Sequence, residues 1–149
     1  RFDTFPLMED QLVALLPLAH PLTKKNAVTL EELCASPFAM TRAGSEDIIG
    51  GLFRALRLQP NIRWRSLQLV STIAAVARGE AVSIVAESAL PPDKAQGYVK
   101  KPLRPAARRQ VALATPDARR MSPAAREFIR MAQEVFPHPA QSTARPAKR

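Results

Sequence analysis

An α/β fold, with helices laid on parallel strands, follows from three features of this 149-residue sequence. The first is Ser66–Ser88, SLQLVSTIAAVARGEAVSIVAES, which reads as a helix, a glycine stop and a short strand covered on both faces. The second is a passage from a short apolar strand into a helix, which recurs three times in succession. The third is composition: 46% hydrophobic residues place the chain among globular proteins, with enough length for one domain or two small lobes.

Taken in order, Arg1–Asp10 reads as a connecting segment anchored by Phe2, Phe5 and Leu7, and Leu12–Leu16 as a strand closed by Pro17. His20-Pro21-Leu22 is a turn in which the histidine fixes a hinge. Thr29 caps a short helix, TLEELCA, with Glu31 and Glu32 at its positive end and Leu30, Leu33 and Cys34 inward. Pro37–Thr41 is the next strand, and the loop Arg42-Ala43-Gly44-Ser45 leads into a helix over Glu46–Leu58, whose apolar face is Ile48, Ile49, Leu52, Phe53 and Leu56. Gly50 and Gly51 cost that helix about 1 kcal/mol each relative to Ala, so tertiary packing has to hold it or a close neighbour has to need the space. Asn61–Arg65 is a strand with Ile62 and Trp64 on one face, and it delivers Ser66 as the cap of the central helix. That helix runs from Leu67 to Ala77 with Leu69, Val70, Ile73, Ala74 and Ala77 inward, stops at Gly79, and feeds the strand Ala81–Ala86. Tyr98–Lys100 is a short extended piece, and Arg108–Thr115 a half-buried strand. Ser122-Pro123 opens a last helix with Ala125, Phe128, Ile129, Ala132, Val135 and Phe136 on its apolar face, ended by Pro137. Residues 137–149 hold too little apolar surface to order and read as a disordered basic tail.

The formal charge is +9, but the basic residues are scattered, three of them fall in the tail, and aromatic residues make up only 5%, so no nucleic-acid face forms. One cysteine, Cys34, excludes an internal disulfide and reads as core. No apolar run approaches the roughly 20 residues that span a bilayer, which points to the cytoplasm. The first residue is not methionine, so Arg1 reads as a cut point inside a longer protein. The two histidines and the cysteine have no metal-ligand spacing, and neither a Gly-rich nucleotide loop nor a nucleophile elbow is present. With no catalytic set and no cofactor site, the reading is a binding module rather than an enzyme.

Its candidate polar groups stand where strands end and helices begin, the edge at which open α/β sheets bind ligands. These are Thr41, Arg42, Gly44 and Ser45 after the second strand, Ser66 and Leu67 at the head of the central helix, and Glu87 with Ser88 after its strand. Arg42 and the amides after Gly44 and Ser66 present positive character to one point, which suits a small carboxylate.

Five stretches, in order, resemble the second half of the effector-binding domain of LysR-type transcriptional regulators: PLMEDQLVALLPLAHPL, VTLEELCASPFAM, the helix ending LRLQPNIRW, RSLQLVSTIAAVARGEAVSIVAESAL and RMSPAAREFIRMA. Together they reach from Phe5 to Phe136. The resemblance implies a periplasmic-binding-protein-like, two-lobed Rossmann-type domain, with the second lobe complete over residues 14–100 and the first partial over 1–13 and 101–136. It implies a small-molecule effector in the cleft between lobes, and DNA contact only through an amino-terminal winged helix-turn-helix that this chain lacks. It also implies a homo-oligomer, dimer or tetramer, and no membrane. Ala81 and Ala86 depart from the family pattern, where a glycine and a proline are common. The competing reading is the solute-binding component of a transporter with the same fold. A redox-sensing regulator of the same family is disfavoured because Cys34 lacks a partner thiol.

Overall fold

The computed structural model describes residues 2–42, 44–92 and 97–136. The chain divides into two compact units, residues 11–109 and residues 1–10 with 110–149. Strands β1 (Asp3–Pro17) and β5 (Tyr98–Thr115) each contribute residues to both units.

The core lies in the 11–109 unit. Strand β4 (Ser83–Ala86) is buried along its whole length and pairs antiparallel with β1 in the register Leu12 to Ala86 through Leu15 to Ser83. On its other side Val82 bridges Phe38 of β2 (Pro37–Thr41) in parallel, with Ala39 N–H donating to Val82 O at 2.9 Å and Val82 N–H to Pro37 O at 2.8 Å. The strand is thus covered on both faces, as its unbroken apolar run predicts. Its parallel partner is β2, while β1 runs against it. Strand β3 (Asn61–Ser66) pairs parallel with β2, with a register shift after Phe38, so that Thr41 and Ser66 stand side by side where both strands end.

Helix α1 (Leu30–Cys34) carries a full capping box: Thr29 Oγ1 accepts from Glu32 N–H, and the Glu32 carboxylate accepts from Thr29 N–H. Helix α2 (Glu46–Ala55) is shorter than its sequence pattern. It buries only Ile49 and Phe53, whereas Ile48 and Leu56 remain exposed, because four apolar residues per two turns is wider than the face the sheet covers. Around Gly50 and Gly51 the nearest non-helical-backbone atoms belong to the flexible end of Arg54, so packing by Ile49 and Phe53 holds this helix rather than a close backbone approach. Helix α3 (Leu69–Ala77) ends in a Schellman turn: Gly79 has φ +78°, its N–H donates to Val76 O, and Glu80 N–H donates to Ala75 O.

Three readings need correction. The segment before Asp10 is not a connector; it is the first half of β1, whose pairing with β5 overrides Pro6 and the acidic residues in it. Likewise Tyr98–Lys100 and Arg108–Thr115 are the two ends of one strand, β5, which also takes in Pro102 and Pro105. Finally, α3 starts at Leu69 and its inward face is Thr72, Ala75 and Val76 with Leu69 and Ile73 half-buried, whereas Val70 points to solvent. Periodicity alone placed Thr72 outside. Its hydroxyl has a partner in the core, which makes the burial affordable.

His20 sits in the turn the sequence suggests and caps a 3-10 turn over Pro21–Lys24. Its Nδ1 accepts from Leu22 N–H at 3.2 Å, and Nε2 lies 3.0 Å from Ser36 Oγ. Burial holds its pKa below the ordinary 6.5, favouring the neutral ring. In the window between the folded and unfolded values the unfolded chain binds more protons, so this contribution is full above 6.5 and is lost as pH falls through the folded pKa. Urea unfolding at about pH 7.5 and about pH 5.5 should show lower stability at the acid point, and His20→Asn should flatten that difference. An equal loss in both proteins would exclude His20 as its source.

The second unit contains α4 (Pro123–Val135), opened as expected by Ser122, whose Oγ accepts from Ala125 N–H at 3.2 Å. Within this unit Ala118 N–H donates to Asp3 Oδ2 at 2.7 Å, and Gln133 Nε2 to Pro6 O at 3.3 Å. The tail reading for residues 137–149 lies outside the described residues.

Candidate functional site

The carboxyl ends of β2, β3 and β4 meet at one edge. Arg42 N–H continues the β2–β3 pairing by donating to Ser66 O at 2.8 Å, and Gly44 turns the chain with φ +71° into Ser45, the first residue of the α2 entry. Ser45 occupies the cap position, yet its hydroxyl makes no cap bond and instead accepts from Arg109 Nη1 at 3.3 Å.

Beside it is a part-enclosed pocket of about 140 Å³, lined by Thr41, Ser45, Leu69, Ile84, Val85, Ala86, Ala89 and Arg109. Thr41 and Ser45 are buried there. Thr41 Oγ1 donates to Thr72 Oγ1 at 2.7 Å, a buried hydroxyl pair that ties the end of β2 to α3. Ser83 Oγ donates to Ala39 O at 2.7 Å, which ties the start of β4 to β2.

The other predicted positions fall around this pocket rather than in it. Arg42 is largely exposed, with Nε 3.3 Å from Glu46 Oε2, and Glu46 is shared with Arg65. Ser66 and Leu67 line a wider open groove of about 520 Å³ along α3, with Trp64, Gln68, Arg78 and Glu80. Ser66 is not the cap of α3. It is the last residue of β3, and its hydroxyl accepts from Gln68 N–H at 3.1 Å, forming a local turn that moves the helix start to Leu69. Glu87 begins a 3-10 turn just past β4 and pairs with Lys100. The structure therefore gathers Thr41 and Ser45, sets Arg42 and Gly44 at the rim, and turns Ser66, Leu67 and Glu87 elsewhere.

Two residues that hydrogen-bond the polar side chains of this pocket, Thr72 to Thr41 and Arg109 to Ser45, escaped sequence reasoning. Thr72 was hidden by its polar side chain on an apolar helix. Arg109 sits on a strand whose path could not be placed from local pattern, and nothing in RRQVALAT distinguishes it from Arg108. Among the described residues no group of three His, Cys, Asp or Glu could hold a metal ion. Cys34 is half-buried against the core, where burial, with the nearby Glu31 carboxylate, pushes its thiol pKa up and disfavours the thiolate.

Open α/β sheets bind small molecules at this edge, so fold and pocket together define a small-molecule-binding α/β domain. The comparisons give the class its family: residues 1–137 match the model of the LysR substrate binding domain, and the chain belongs to that family. It is similar to the uncharacterized HTH-type transcriptional regulator YvbU of Bacillus subtilis (strain 168), at 29% identity over 133 residues, covering 87% of this chain and 45% of that protein. Among solved structures it is similar to HinK, a LysR family transcriptional regulator from Pseudomonas aeruginosa, at 26% identity with a TM-score of 0.78 over 91% of this chain and 48% of the other. The effector binding domain of QuiR in complex with shikimate shares the fold, with a TM-score of 0.80 at 20% identity over 91% of this chain and 65% of that one. The chain spans about half the length of the regulators it matches. These likenesses support the α/β, periplasmic-binding-protein-like fold and set aside the transporter reading.

Proposed function

We propose that this chain is the sensory part of a LysR-type transcriptional regulator and binds a small anionic molecule at the carboxyl edge of β2, β3 and β4. The observation that carries the reading is the pocket in which Thr41 and Ser45, from one strand-to-helix passage, meet the end of β4 beside the cation Arg109. The QuiR domain, of like fold, is seen with shikimate, which accords with a small-molecule site. In this reading the chain performs no catalysis. It controls transcription in the cytoplasm as part of a homo-oligomer, and DNA is contacted by a winged helix-turn-helix outside it. None of the described helices is long and apolar enough to cross a membrane.

Arg42 serves at the rim. Because Glu46 already sits against it, Arg42→Ala should weaken an anionic ligand by about 10-fold, the low end of the effect of a charge-assisted contact. Thermal unfolding of the chain with a set of small organic acids tests the function. A binding acid at about 100 times its Kd adds about 2.7 kcal/mol of stability, and the gain should shrink in Arg42→Ala. If no acid raised the unfolding temperature, the anion-sensing assignment would be wrong.

A further inference from the structure

Three hydroxyls, those of Thr41, Ser45 and Thr72, hold more protons than they spend, although they are only 4%, 8% and 1% exposed. Thr41 and Thr72 have two protons between them and use one in the 2.7 Å bond that joins their oxygens, so the second has no acceptor among the described residues. Ser45 accepts from Arg109 Nη1, since a guanidinium has no lone pair to offer, and its own proton is likewise unspent. Elsewhere the pocket wall, formed by Leu69, Ile84, Val85, Ala86 and Ala89, brings only apolar side chains. Native proteins leave few buried polar groups unmet, and two beside one cavity call for an acceptor from outside.

Thr41 and Ser45 line the pocket, whereas Thr72 lines the groove along α3 and reaches the pocket through its bond to Thr41. Hydroxyl protons turn to suit their partners. Thr72 can therefore donate to Thr41 while Thr41 turns its own proton to a molecule in the pocket, a chain in which each bond strengthens the next. Resting on the effector reading above, we propose that the effector enters oxygen first, with a carbonyl or carboxylate accepting from Ser45 and Thr41, and that Thr72 is a positioning residue that does not touch it. One carbonyl oxygen has two lone pairs and a carboxylate has more, so either meets both protons. An ammonium group brings only donors and leaves both unmet.

The pocket's volume of about 140 Å³ is close to the about 150 Å³ of an apolar cavity that takes up benzene, which sets the probes at one six-membered ring. Cyclohexanone and methylenecyclohexane share that ring and differ in the acceptor oxygen. Each is titrated into the full chain and into its Ser45→Ala, Thr72→Val and Thr72→Ser variants, with the backbone amide shifts of Thr41, Ser45 and Ala86 followed by NMR. Ser45→Ala and Thr72→Val should each weaken cyclohexanone by about 3- to 10-fold, the effect of one neutral hydrogen bond, and leave methylenecyclohexane within about 2-fold. Thr72→Ser, which keeps the hydroxyl, should retain the ratio of the two affinities, whereas a packing role for Thr72 would move both probes together. The acceptor assignment is overturned if Ser45→Ala weakens the two probes equally or leaves both unchanged. The role of Thr72 is overturned if Thr72→Val does either, or if Thr72→Ser loses cyclohexanone as Thr72→Val does. Should neither probe shift those amides while a small organic acid shifts them, this proposal fails and the effector site stands. Should no compound shift them, both fail.

Discussion

Phe53→Ala is expected to destabilise the 11–109 unit by about 3–5 kcal/mol, the cost of removing a buried aromatic ring and leaving a cavity. Phe53 is 1% exposed and meets Phe38, itself fully buried, edge to face with ring centroids 5.5 Å apart. That contact is where α2 is held to β2, and β2 carries Thr41 and the loop into Ser45 at its other end. Since an ordinary domain has only about 5–15 kcal/mol of stability, the loss is a large share of the total. Urea unfolding gives the value directly from the shift in midpoint at constant slope. A loss below about 1 kcal/mol would mean that the neighbours close over the gap and that the ring pair does not anchor the helix.

The second large effect concerns α4. Its apolar residues Phe128, Met131, Val135 and Phe136 are 63%, 54%, 71% and 46% exposed, and in its unit only Leu7 and Asp10 are buried among the described residues. Ion pairs of Arg130 with Glu127 and Glu134 support the helix along its surface, and such pairs contribute only about 0.2–0.5 kcal/mol each. Local opening should therefore be easy. In hydrogen exchange on the chain, the α4 amides are expected to exchange about 100-fold or more faster than those of Val13–Leu15 and Ile84–Val85. The exposed face should also drive weak self-association as concentration rises. Equal protection in α4 and in the central strands, in a monomeric sample, would show that the helix is held by more than the contacts described.

How far this was legible in the sequence depended on whether a signal was local. Gly79, Thr29 and Ser122 mark their helix ends by chemistry within four residues, and each does in the structure what its pattern implies. The strands β2 and β4 were readable because an apolar run between turn signals has few alternatives. The long strands β1 and β5 were not, since prolines and charges argue against a strand until a distant partner overrides them. The site shows the same division. Thr41 and Ser45 follow from the rule that strand ends bind ligands, whereas the bond from Arg109 to Ser45 spans 64 residues and has no local trace. Ser66 misled because a serine before an apolar run is the usual cap signal, and here its hydroxyl satisfies Gln68 two residues on.

If a small molecule is sensed at the carboxyl edge of β2, β3 and β4, mapping where ligands touch the chain will show it. Backbone amide shifts recorded during titration with a panel of small organic acids should concentrate at Thr41, Ser45, Leu69 and Ala86. Shifts that instead cluster along the α3 groove, at Ser71, Ala75, Arg78 and Glu80, would contradict it.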